Sequence, residues 1–230
     1  TRNKISQKAA DELLNDPDCD LSNTDVGYLD FKGKDLTHCV MVNTSFFGAD
    51  LRGANLSGGN LQRAYLNLAR LEKANFTGAN LAEATIFQPI FGKTVFKGAN
   101  LTNARIIGTL GDVDMSGAIL IKGRLGLDIG NQPMGQMKFD SSGGNFLKAN
   151  FEGADLNIAS FIFGDLRGAN LRNTNLYRAE LVKTDLRGAD LTDADLTDAD
   201  VDGADFEGVI GLSTIKGFST VKGKCDHCGM

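Results

Sequence analysis

An apolar residue stands at every fifth position from Leu21 to Ile106, making 18 consecutive pentads, and the same phase returns at Phe146 and runs to Phe206 for another 13. We call this residue the centre. Two places before it stands something small: Cys19, Thr24, Cys39, Thr44 and Ala49 in the first run, Ala149, Ala154 and Ala159 in the second. Extended backbone sends alternate side chains to opposite faces, so the centre and the small residue share a face and the Asp or Asn between them points away. The remaining two positions are polar or Gly, as in Arg52-Gly53 and Glu152-Gly153, types suited to tight turns that need a positive φ. Each pentad reads as a very short strand followed by a corner. A helix is excluded, because 100° per residue would scatter a five-residue repeat around its whole surface. A chain that keeps the same face inside at every corner must coil around a filled core. Its backbone hydrogen bonds are then expected to run from coil to coil, with none closing within a pentad.

The stretches GADLRGANLSGGNLQRAYL and GADLTDADLTDADV resemble the pentapeptide-repeat family, whose motif is a small residue, Asp or Asn, Leu or Phe, and two variable positions. The resemblance covers roughly residues 19–209. It implies an all-β fold, a right-handed quadrilateral β-helix of four pentads per coil, here with a short N-terminal capping α-helix. The 31 clear pentads then stack to nearly eight coils, roughly 37 Å at ~4.8 Å between strands.

Three segments depart from the period. Residues 1–18 place Ile5, Ala9, Ala10, Leu13 and Leu14 on one helical stripe that ends at Asp16-Pro17, which predicts a helix across the otherwise open first coil. In residues 107–145 the phase is lost. Leu110, Met115, Leu120 and Leu125 keep a spacing of five one register early, as if one residue were deleted near Gly108 or Gly111. Residues 126–144, rich in Gly and Ser with one Pro, read as a loop or distorted coil, and Met134, Met137 and Phe139 there either contact a partner or fold back over the seam. In residues 210–230 the apolar residues Ile210, Ile215 and Val221 trail away in a cap or tail that ends in a CxxC, with no long helix.

Charge and chemistry refine this picture. The net charge of −5 argues against nucleic acid as a direct ligand, and no run of apolar residues is long enough to span a membrane. No basic-then-apolar secretion signal is read from Thr1, and the expectation is a soluble chain. Between Glu180 and Glu207 ten carboxylates face only Lys183 and Arg187, a local charge of −8. At 20 residues per coil, Asp165, Asp185 and Asp205 stack on one wall. With Asp190, Asp195 and Asp200 they form either a surface for a basic partner or weakly held cation, or plain solvation.

Some members of the family are dimeric acidic rods that resemble duplex DNA and bind type II topoisomerases. This chain carries Arg63, Arg70, Lys73, Lys97, Arg105, Lys122 and Arg124 and no evident C-terminal dimerising helix, so a monomer is favoured and that reading ranks second. Cys19 and Cys39, one coil apart, either form a disulfide or pack as thiols. Cys225 and Cys228, in KCDHCG, form a redox pair, a metal half-site or a terminal disulfide. A structural zinc normally takes four ligands and only His38 remains elsewhere, so no metal and no cofactor are expected. FGKT at 91–94 lacks the first glycine of a phosphate loop, and a non-catalytic scaffold with an unidentified protein partner is the expectation. The compartment is left as cytoplasmic, or exported or lumenal if the cysteines pair.

Overall fold

A computed structural model describes residues 2–127 and 137–229. The chain winds as a right-handed β-helix of four walls, and every centre from Leu21 to Ile86 is fully buried. The outward residues bridge at intervals of 20, Asp20 to Val40 to Asn60 to Asn80 along one wall and Asp25 to Ser45 to Tyr65 along the next, all parallel. The pentad gives only about two residues to extended backbone, so pairing is mostly one bridge per wall per coil. Leu51 N–H donates to the Arg70 carbonyl and Arg70 N–H to the Ala49 carbonyl, both at 2.9 Å.

The expectation that no backbone bond closes within the repeat is corrected at the corners. Ala54 N–H donates to the Leu51 carbonyl at 3.0 Å, and the same three-residue turn recurs around the coil. The residue before the turn's donor has a positive φ, 64° at Gly53, as a turn of this hand requires. Non-glycine residues adopt it too, including Tyr28, Leu68 and the β-branched Ile158 at 59°, a conformation that only the closure of the coil enforces. Where the small inward position holds Thr, its hydroxyl is satisfied: Thr44, Thr94 and Thr184 donate to the carbonyls of Leu21, Leu71 and Phe161 at 2.7 to 2.8 Å.

At the N-terminus, strand β1 (Asn3–Lys4) pairs in parallel with β2 (Thr24–Asp25), adding an edge below the first coil. Helix α1 (Gln7–Leu14) starts at Ser6, whose hydroxyl accepts the Ala9 N–H, and lays Ala10 fully buried on the core. It covers the apolar interior that the first coil would otherwise open to water.

The phase break has two parts. From β3 (Thr85–Phe87) to β4 (Arg105–Thr109) the interval is 20, but Val95 bridges Asp114 and Asn100 bridges Ile119, an interval of 19. The missing residue lies between the buried Ile106 and Leu110, where β4 runs straight through a corner with Gly108 at φ 142°. Leu110, Met115, Leu120 and Leu125 are buried, so the coil continues. The next interval is 31, Asp114 to Asn145 and Arg124 to Asp155, which makes that coil eleven residues longer. It resumes at β5 (Phe139–Asp140), paired with Gly108 and Thr109 of β4.

Phe139 is thus not a surface contact. It is fully buried in the small residue's slot, while the centre that follows it is the buried Ser141. Large and small have exchanged places, and the Phe139 ring meets Phe146 at 6.3 Å and Phe161 at 5.5 Å. Met134 lies outside the described residues.

The C-terminal segment is a further coil and not a trailing tail. Ile210, Lys216, Lys222 and Asp226 bridge Asp190, Asp195, Asp200 and Asp205 in turn. Two of its steps, Ile210 to Lys216 and Lys216 to Lys222, take six residues and the last, to Asp226, takes four. The six-residue steps hold 3-10 turns at Leu212–Thr214 and Phe218–Thr220, preceded by Gly211 and Gly217 in the left-handed region. Phe218 packs on Phe206 at 5.8 Å and closes the core.

Candidate interaction surfaces and cysteine pairs

The outward Asp and Asn have a local task in every coil. Their Oδ1 accepts the backbone N–H two residues on, as Asp20 does from Ser22, Asn75 from Thr77 and Asp195 from Thr197 at 2.8 to 3.0 Å. That N–H opens the corner and would otherwise be left to water, which explains why Asp and Asn alternate so freely at this position.

On the wall ending at Asp226 the acidic residues are interleaved with arginines. Arg167 binds Asp165 through two nitrogens at 2.7 and 2.8 Å, and its Nε lies 3.6 Å from Asp185 one coil on. Arg187 repeats this with Asp185 at 2.6 and 2.9 Å and with Asp205 at 3.7 Å. His227 ends the ladder, its Nδ1 2.9 Å from Asp205 Oδ1. Hydrogen bonds from their own arginines hold the Asp165 and Asp185 carboxyls below the usual carboxylate range.

On the other walls Arg172 reaches Asp190 at 3.2 Å and Lys138 reaches Glu180 at 2.6 Å. At Asp190 burial alone pushes the carboxyl up, and hydrogen bonds from Thr192 and Arg172 outweigh it. The final coil sets Lys216 over Asp195 and Lys222 over Asp200. Glu180, Asp185, Asp190 and Asp205 are therefore paired from within the chain. Each exposed pair is worth only about 0–1 kcal/mol, so the ladder sets charge distribution more than stability.

The His227–Asp205 contact makes the cap pH-dependent. The hydrogen bond to Asp205 raises the His227 imidazole above its ordinary value of 6.5. A raised histidine contributes stability that is fully present below the unfolded value and is lost as pH rises through the folded one. Hydrogen exchange of residues 210–229 is therefore expected to quicken as pH climbs from 6 to 8, beyond the intrinsic pH effect, and His227→Ala should abolish the difference.

A second surface was missed in the sequence. Tyr28, 74% exposed, lies across Gly48 and meets Phe47 edge-on at 5.4 Å, and Phe47 stacks with Tyr65 at 6.2 Å. Leu68 occupies the same corner two coils on from Tyr28, beyond Gly48, and Ile90 stands exposed on the adjoining wall one coil further. A groove of about 260 Å³ lined by Lys4, Asp25, Tyr28, Phe47 and Tyr65 borders this stripe. The only available signal was that apolar residues occupy corner positions, which the pentad reserves for polar ones. A larger groove of about 440 Å³ lies where the deletion meets the insertion, and Met137 lines it beside Gln88, Lys138 and Asp140.

Both cysteine pairs are bonded. Cys19 and Cys39 join adjacent coils with their Cα atoms 4.6 Å apart, and Cys225 joins Cys228.

The family model for pentapeptide repeats matches eight copies over residues 18–53, 49–86, 79–125, 142–173 and 169–208. The chain belongs to the pentapeptide-repeat family. Among solved pentapeptide-repeat structures it is similar to HetL, involved in heterocyst differentiation regulation in the cyanobacterium Nostoc sp. strain PCC 7120. That match has 24% identity and a TM-score of 0.52 over 90% of this chain and 86% of that one. At this identity the likeness shows the fold. A weaker likeness, 17% identity and a TM-score of 0.34 over 90% of each chain, is to QnrB1, a plasmid-mediated fluoroquinolone resistance protein. No curated protein matches the chain. No helix among the described residues of this pentapeptide-repeat protein is long and apolar enough to cross a membrane.

Proposed function

We propose that this pentapeptide-repeat protein is a non-catalytic binding rod whose partner is another protein, engaged through the aromatic stripe at Tyr28, Phe47, Tyr65 and Leu68. The observation that carries this reading is the exposure of Tyr28 and Leu68 on a corner held rigid by coil-to-coil hydrogen bonds. Contiguous exposed aromatic and aliphatic surface is characteristic of protein interfaces, whose cores are enriched in Tyr and Phe. The bordering groove has Lys4 and Asp25 at its rim, polar groups able to fix the register of an inserted side chain. The acidic rod that would bind a topoisomerase draws less support, because Arg167, Arg187, Arg172 and Lys138 interrupt its negative charge. The two bonded cysteine pairs support an oxidising compartment, exported or lumenal.

The test compares affinity capture by three proteins: wild type, Tyr28→Asn/Leu68→Asn, and a variant with Asp185, Asp190, Asp195, Asp200 and Asp205 changed to Asn. Asn tolerates the left-handed backbone at positions 28 and 68, so the first variant removes apolar surface without strain. Partners are expected to be lost by the first variant and kept by the second. The reverse result, or inhibition of DNA gyrase supercoiling by the wild type, would return the acidic end to first place.

A further inference from the structure

His38 is exposed at the corner beside the disulfide. Its Nε2 lies 4.0 Å from Cys39 Sγ, and the two sulfurs and the imidazole nitrogen all fall within 4.8 Å of one another. The same nitrogen is 3.1 Å from the carbonyl of Leu14, the last residue of α1, where the helix presents its partially negative end. This histidine stood in the sequence as a remote remnant for the CxxC motif. The CxxC histidine, His227, is instead engaged by Asp205, and no thiol there is free.

We propose that reduction of the Cys19–Cys39 disulfide turns this corner into a site for a borderline-soft divalent cation of the zinc type, held by two thiolates and the His38 imidazole. A dithiol reductant attacks one sulfur, the S–S bond breaks, and the reductant's second thiol closes its own disulfide, leaving two thiols on this chain. The cation then displaces both thiol protons to solvent on binding. With metal–sulfur bonds near 2.3 Å and a metal–nitrogen bond near 2.05 Å, tetrahedral ligation needs the sulfurs about 3.8 Å apart and each about 3.6 Å from nitrogen. The freed thiols separate by side-chain rotation, and His38 closes on Cys39 by a few tenths of an ångström from its present 4.0 Å. Three protein ligands leave one position for water. Ligation through Nε2 places the imidazole proton on Nδ1 and gives up the contact with the Leu14 carbonyl, which then accepts from the water that fills the fourth position. The first two coils would thus stay pinned to each other in either redox state, by a covalent bond when oxidised and by a metal when reduced.

The full chain carrying Cys225→Ser and Cys228→Ser, so that the second pair contributes no thiolate, is reduced and titrated with Co²⁺ and then Zn²⁺. The expected result is thiolate-to-cobalt charge-transfer absorption saturating at one equivalent, displaced by Zn²⁺ and absent from the oxidised protein. His38→Ala, which leaves both cysteines in place, is expected to weaken binding about tenfold or more, since even residues behind metal ligands cost that much. Absence of the absorption, or unchanged affinity in His38→Ala, overturns the site. If reduction abolishes the β-sheet circular dichroism, its recovery on adding Zn²⁺ supports the site and failure to recover overturns it.

Discussion

Phe161→Ala is expected to destabilise the protein by about 3–5 kcal/mol, as deletion of a fully enclosed ring does. The Phe161 ring meets Phe139, Phe146 and Phe151 at 5.2 to 5.9 Å, in the coils that follow the long insertion. Neighbouring coils cannot shift to fill the void, because each is tied above and below by backbone bonds spaced for the full pentad. Phe163, two residues on and 63% exposed, provides the control: Phe163→Ala is expected to change stability by less than about 1 kcal/mol. Urea unfolding followed by circular dichroism reads both. A solenoid unfolds in locally cooperative pieces, so hydrogen exchange should place the Phe161→Ala loss in residues 139–181. Equal costs at 161 and 163 would mean that the centres do not face a shared interior.

Gly217→Ala is expected to detach the final coil. At φ 67° an alanine costs about 1–2 kcal/mol for the backbone alone. Its Cβ would also stand 2.5 Å from the Thr197 Cα and 2.1 Å from the Thr197 Oγ1. Backbone at that distance cannot move without lifting the coil, which brings the total to about 3–5 kcal/mol by adding typical overpacking costs. Gly188→Ala isolates the two effects. Its φ is 66°, but nothing lies within 4 Å of the new methyl, so only the backbone cost of about 1–2 kcal/mol remains. The comparison is read by thermal unfolding and by exchange at Lys216 and Lys222. Similar losses for the two substitutions would show that the six-residue corners do not rest on the coil beneath.

Because Leu191, Leu196, Val201 and Phe206 form the last covered layer, loss of that coil would open an apolar end and leave the bridging positions of all four walls unpaired. The same geometry accounts for the basic character of residues 216–224. Lys216 and Lys222 bridge Asp195 and Asp200 of the coil beneath, and the Lys224 backbone N–H donates to Asp202 Oδ1 at 3.1 Å. The cap is charged to fit what it covers.

The sequence by itself determined the coil. A five-residue period with a large residue and a small one on the same face admits no helix or flat sheet, so the centres from Leu21 to Ile106 and Phe146 to Phe206 could be assigned indoors from spacing alone, with the half-buried Phe91 as the exception. It also carried the N-terminal helix and the one-residue deletion beside Gly108, because each is a local change of period.

Other features came only from the tertiary structure, since they depend on residues about 20 positions apart becoming neighbours. Stacking set Arg167 and Arg187 between successive aspartates, so a tract that looks uniformly negative along the chain is answered across it at Asp185 and Asp205. It laid Tyr28 over Gly48 and against Phe47, a surface that no stretch of the chain displays. It brought His38 beside Cys39 at the foot of α1 and set His227 against Asp205, while the CxxC itself closed as the terminal disulfide that was one of its readings. Phe139 entered the core because the exchange of large and small with Ser141 preserves the volume of the layer, whereas the pattern tracks only position. The steps of six, six and four residues in the last coil escaped the five-residue period for a physical reason: a closing coil has no successor to match and is free to vary its corners.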